Sequence, residues 1–71
     1  MSFVLSTREC QILKELVNGQ TNNFIANKLF ISHATVKAHI STLIQKLNAR
    51  NRVQLAVMGM YFVMDQISFD D

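Results

Sequence analysis

Proline is absent from this 71-residue chain, and glycine occurs only at positions 19 and 59. Turn-rich β folds rely on both residues for chain reversals, so their scarcity argues against sandwiches and barrels and for long helices. The single cysteine, Cys10, excludes an internal disulfide and leaves no second thiolate for zinc; it is expected as a small buried hydrophobe rather than a reactive thiol. The strongest apolar run, Leu55 to Met64, falls short of the roughly 20 residues that cross a bilayer. The start, Met1 to Glu9, lacks both the cationic region and the long apolar run of a signal peptide. Both absences point to the cytoplasm and away from a membrane partner. His33 and His39 lie six positions apart with no carboxylate or thiol nearby, which does not make a metal site. No nucleophile, base and orienting group can be assembled either. Neither catalytic residues nor a metal, cofactor or small-molecule substrate is therefore expected.

What is present suits one small helical domain over residues 1–71. Hydrophobic residues make up 49% of the chain, which removes it from the disordered class. A domain of this size buries only about 60% of the surface its unfolded chain exposes, so a partner can add to its stability. The expected fold class is all-α, a compact four-helix domain. Net charge is only +2, but its distribution is uneven. No Asp or Glu occurs from Leu16 to Met64, whereas Lys28, Lys37, Lys46, Arg50 and Arg52 all lie there. The acids sit at the ends, as Glu9 and Glu15 and as Asp65, Asp70 and Asp71. A middle without acids reads as an electrostatic footprint for phosphates.

Ser6-Thr7-Arg8-Glu9 has the spacing of a capping box, with Leu5 and Cys10 placed as its hydrophobic staple. The first helix is expected over about 7–18, burying Cys10, Leu13, Leu16 and Val17 with Ile12 at the edge, and Gly19 ends it. Thr21 can cap a second helix over about 22–29, burying Phe24 or Ile25, Ala26 and Leu29. Its start, Gln20-Thr21-Asn22-Asn23, is uncommonly polar. Backbone amides at a helix start attract phosphate and the two Asn side chains add donors, although plain capping explains either Asn alone. Phe30 and Ile31 form an apolar turn, after which Ser32 caps a third helix over about 33–48.

That third helix organises the rest. At 100° per residue, Val36, Ile40, Leu43, Ile44 and Leu47 fall in one sector and form a core face. The opposite sector holds Ala34, Lys37, Ala38, Ser41, Thr42 and Gln45, short, polar or cationic and without an acid. Small side chains let a helix backbone approach base edges, and Lys, Ser, Thr and Gln can hydrogen-bond there. An ordinary solvated helix face would look similar. Two helices joined by a turn of about three residues, the second carrying such a stripe, make the helix-turn-helix arrangement. Lys46 and Arg50, at the end of this helix, are candidate phosphate contacts, with solvated surface cations as the alternative.

Four segments, Leu5–Glu9 (LSTRE), Gly19–Ala26 (GQTNNFIA), Leu29–Ile40 (LFISHATVKAHI) and Lys46–Val57 (KLNARNRVQLAV), together resemble the LuxR/GerE-type DNA-binding domain of bacterial regulators. The resemblance implies a four-helix domain whose third helix reads the DNA major groove. It implies a base contact for Lys37 and a phosphate contact for Thr35, and it places Ala38, Ser41 and Thr42, with Gln45 beside them, at positions facing bases. Several members carry Lys or Arg where Ser41 stands, which implies weaker binding or a different sequence read. Thr21 and Asn22 match the family's polar pair at the start of helix 2, whereas Phe24 replaces a Glu found in many members. His39 is near-standard in the family, where packing, a phosphate contact and a pH switch or metal ligand are competing roles. Arg52 is implied as a partner of Glu9 or as a phosphate contact. Double-stranded DNA is the implied partner, bound as a homodimer, with RNA polymerase a further candidate. Such domains occur at the end of response regulators and as free-standing regulators; a start at Met1 points to the second, yet a fragment can also begin with Met.

The fourth helix, expected over about 52–65, carries apolar residues on two sides. Val53, Ala56, Val57, Met60 and Met64 make one stripe, expected to complete the core. Leu55, Met58 and Phe62 make the other, expected as a dimer interface unless Ile67 and Phe69 fold back over it. The tail's Asp residues place it away from DNA. The rival function is a protein-interaction module that binds or sequesters another regulator through helix 4 without touching DNA.

Overall fold

The computed structural model describes residues 5–66, with side chains as far as Phe62. Four helices follow one another: α1 (Thr7–Val17), α2 (Asn22–Leu29), α3 (His33–Leu47) and α4 (Arg52–Gln66), with no strand among the described residues. The all-α fold class follows directly. The expectations placed on Met64, Asp65, Ile67, Phe69, Asp70 and Asp71 lie outside the side chains described.

Local chemistry sets each boundary. Ser6 Oγ accepts from the Glu9 amide at 3.0 Å while Glu9 Oε1 accepts from the Ser6 amide at 2.8 Å, a complete capping box. At the other end of α1 the Gly19 amide donates to the Leu16 carbonyl, and Gly19 takes the left-handed φ of 79° that a Cβ would resist. Thr21 caps α2 through the Phe24 amide, and Ser32 caps α3 through the Thr35 amide. Phe30 ends α2 at φ 58°, a left-handed conformation uncommon for an aromatic residue, and the turn leads at once into the cap of α3. Asn48 does the same at the end of α3.

The core is formed by Ile12, Leu13 and Leu16 of α1, Ile25 and Ala26 of α2, Val36, Ile40, Leu43 and Leu47 of α3, and Leu55 of α4. Each fully buried Leu or Ile stabilises the fold by about 1.5–3 kcal/mol relative to exposure. Ile12 sits at the centre rather than the edge, while Cys10 is only half-buried. Phe24 is exposed and Ile25 takes the core position, which settles the choice between them. Phe30, expected within an apolar turn, is 93% exposed.

The two sides of α4 are the reverse of the expectation. Leu55 is fully buried, and Met58 and Phe62 pack against the core, so this stripe is not an exposed dimer interface. Val53, at 73% exposure, Val57 and Met60 face outward instead. Gly59 gives the physical reason: a Cβ there would lie 2.6 Å from Leu13 Cδ1 and 3.0 Å from Val17 Cγ2. Close approach of α1 and α4 is thus available only on the side that carries the glycine, one turn from Leu55 and beside Met58 and Phe62.

Candidate nucleic-acid interface

One side of α3 is anchored and the other is bare. Val36, Ile40, Leu43 and Leu47 are buried, whereas Ala34, Lys37, Ala38, Ser41, Thr42 and Gln45 are all exposed. The exposed face carries one cation and no acid. Thr42 Oγ1 donates to the Ala38 carbonyl at 3.1 Å, the one intrahelical side-chain bond recorded on this face.

The starts of α2 and α3 present further donors. Thr21 Oγ1 accepts from the Phe24 amide at 3.1 Å, which leaves its own proton to donate outward. Ser32 Oγ and Thr35 Oγ1 lie 2.8 Å apart, and whichever donates, the other hydroxyl keeps a proton for an outside acceptor. Asn22 Oδ1 accepts from Arg52 Nη1, so the amide nitrogen of Asn22 is turned the other way. Arg52 Nη2 donates to the Gln20 carbonyl at 2.8 Å. Arg52 therefore ties α4 to the entry of α2 and does not pair with Glu9. Both terminal nitrogens of its guanidinium are bonded to protein acceptors.

Glu9 is paired with Lys46, Nζ to Oε1 at 2.9 Å. The hydrogen bond from Lys46, then that from the Ser6 amide, hold the Glu9 carboxyl below its ordinary value of 4.5, against the opposing effect of burial. Through this pair Lys46, expected on a phosphate, links the end of α3 to the start of α1. Lys28 similarly pairs with Glu15 at 2.7 Å and stands 5.8 Å from the centre of the Phe24 ring. Of the five cations in the acid-free middle, three are bound to partners on or next to α1 and α2. Lys37 and Arg50 are the exposed pair that remains; Arg50 donates its backbone amide to Gln54 Oε1. His39 is half-buried on the flank of α3, and His33 is exposed in its first turn. No three His, Cys, Asp or Glu side chains cluster as metal ligands among the described residues.

An α2–turn–α3 unit with an acid-free outer face, backed by α1 and α4, agrees with the comparison to known proteins. Residues 3–59 match the family of bacterial regulatory proteins termed the luxR family, or GerE. The chain belongs to the luxR family of bacterial regulatory proteins. It is similar to the transcriptional regulatory protein DegU of Brevibacillus brevis, 41% identical over 54 residues, 76% of this chain and 23% of that protein. The nitrate/nitrite response regulator protein NarP of Escherichia coli is 47% identical over 55 residues, 78% of this chain and 26% of NarP. The CsgBAC operon transcriptional regulatory protein of the same organism is 47% identical over 53 residues, 75% of this chain and 24% of that protein. The chain thus corresponds to about a quarter of each of these relatives. As a luxR-family helix-turn-helix domain it is a DNA-binding domain of the transcription-regulator class, which is not a class of enzymes. No helix among the described residues is long and apolar enough to cross a membrane.

The exposed stripe on α4 was missed by sequence reasoning, as was the Lys46–Glu9 pair. Gly59 was the available signal for the first. The second had none, because Lys46 and Arg52 are equally plausible partners for Glu9 until the helices are placed.

Proposed function

We propose that this luxR-family domain recognises a specific double-stranded DNA sequence by seating α3 in the major groove, and that it acts on DNA as a homodimer paired through the outward stripe of α4. The observation that carries the reading is the acid-free, exposed face of α3 opposite a buried one. A groove about 12 Å wide admits a single helix, and small side chains allow the close approach that base contact requires. Lys37, Ala38, Ser41, Thr42 and Gln45 are the base-facing residues in this reading. Thr21, Asn22, Thr35, His39 and Arg50 contact phosphates, Thr21 and Asn22 through donors that the cap and the Arg52 contact leave free, and Thr35 through its hydroxyl with Ser32 as the donor of their shared hydrogen bond. Lys46 is left out of the set in this reading because its Nζ is bonded to Glu9 Oε1.

Val53, Val57 and Met60 form the self-association surface, beside a groove that Leu16, Val17 and Gly19 also line. A symmetric pair would place two recognition helices on half-sites about one DNA turn apart, or at a related spacing. The same outward stripe favours a second reading, in which α4 binds another regulator and DNA is not touched.

Selection of duplexes from a random pool, followed by anisotropy titration of the enriched and a scrambled duplex at two salt concentrations, tests the reading. A palindromic or repeated winner bound by two protomers, with affinity falling as salt rises, is the expected result. Negligible binding to every duplex would transfer the function to α4 and its protein partner.

A further inference from the structure

The outer face of α3 divides into two interleaved rows. Lys37, Ser41 and Gln45 recur every four residues and end in polar groups, whereas Ala34, Ala38 and Thr42 form a second row at the same spacing. All six are exposed. The two alanines offer only methyl groups. Thr42 has both a hydroxyl and a methyl to offer, and its hydroxyl proton is donated to the Ala38 carbonyl at 3.1 Å. Turned in on the helix backbone, the hydroxyl leaves the γ methyl as the outward group. The second row is therefore three methyl groups in succession, each about 6 Å further along the helix axis.

Only one group on the major-groove edge of a base pair matches a methyl row, the C5-methyl of thymine. Thymine there gains apolar contact, whereas a guanine or adenine acceptor against the same row would lose water without gaining a donor. We propose that Ala34, Ala38 and Thr42 read thymine C5-methyl groups, so that α3 selects half-sites with thymines under this row while Lys37, Ser41 and Gln45 supply the hydrogen-bonded contacts. The inference rests on the proposed placement of α3 in the major groove and adds to it a base preference and the group on Thr42 that expresses it.

Replacement of thymine by deoxyuridine removes the methyl and keeps every hydrogen-bonding group of the base. The probe is the duplex enriched from the random pool, with each thymine exchanged in turn and binding read by anisotropy. At least one exchange per half-site should weaken binding about fourfold, the value of one buried methyl-sized group. Thr42→Val keeps the outward methyl, so exchange of the matching thymine for deoxyuridine should cost it the same factor of about four as it costs the native chain. Thr42→Ser loses the methyl, so it should lose the same factor on the thymine duplex and nothing further on the deoxyuridine duplex at the matching position. Circular dichroism establishes that both variants are folded. Deoxyuridine without effect at every position, or Thr42→Val weakened while Thr42→Ser is not, overturns the methyl reading and leaves groove binding intact. Absence of any enriched or bound duplex overturns both together.

Discussion

Glu9 and Lys46, 37 positions apart in sequence, meet at 2.9 Å and fasten the start of α1 to the end of α3. The same carboxylate oxygen also closes the capping box on Ser6. Because Glu9 is buried, removing its cation leaves a carboxylate with only part of its compensation. Lys46→Met should destabilise the domain by about 1–2 kcal/mol at neutral pH, a figure moderated by the partial exposure of Lys46. The folded-state pKa of Glu9 lies below its ordinary value of 4.5, so the pair's contribution is present above that pH and is lost as pH falls through the folded value. Chemical denaturation across the acid range should show the native chain losing more stability below pH 4.5 than Lys46→Met does. Parallel curves would remove Glu9 as the linked group.

Lys37 is the one cation on the outer face of α3. Lys37→Ala is expected to weaken binding to the selected duplex by roughly 1–3 kcal/mol, the range for one good base contact, and to weaken random-sequence binding less. Anisotropy on both duplexes decides the matter. Equal losses would move Lys37 to the phosphate-contact class.

Salt dependence should be shallow for a DNA-binding domain. Lys28, Lys46 and Arg52 are held by Glu15, Glu9 and the Gln20–Asn22 segment, so the exposed cations at the proposed interface are Lys37 and Arg50. With Arg50 on a phosphate and Lys37 at a base edge, the slope of log K against log salt should be no steeper than about −2 per protomer, and Arg50→Ala should reduce it by about 1. A native slope of −5 or steeper per protomer would mean that the ion pairs open on DNA.

The outward stripe of α4 and the inward one should respond differently to substitution. Val57→Glu is expected to leave the melting temperature within a few degrees of the native value and to abolish the second binding step on the selected duplex, read by sedimentation of the complex. Leu55→Ala should instead cost about 2–5 kcal/mol of stability by opening a cavity in the core. Two protomers still bound cooperatively by Val57→Glu would displace the interface from this stripe.

Much of the fold was legible in the residues because its signals are local. The Ser6–Glu9 box, the Thr21 and Ser32 caps and Gly19 act within a single turn, and their hydrogen bonds form as their spacing implies. The two faces of α3 were legible for a related reason: with apolar side chains on one side only, burial has one solution. Phe24 and Ile25 were ambiguous because adjacent residues on a short helix straddle the edge of the core.

Sequence by itself therefore determined the four helices, the helix-turn-helix pairing of α2 with α3, the exposed face of α3 and membership of the luxR family. Tertiary structure alone decided which side of α4 is buried and which cations are taken up by the fold. Both sides of α4 are apolar, so hydrophobicity does not choose between them; the approach of Leu13 and Val17 to Gly59 does. An ion pair likewise depends on which long side chain reaches a carboxylate across helices, and only the packing of α1 on α3 brings Lys46, rather than Arg52, to Glu9.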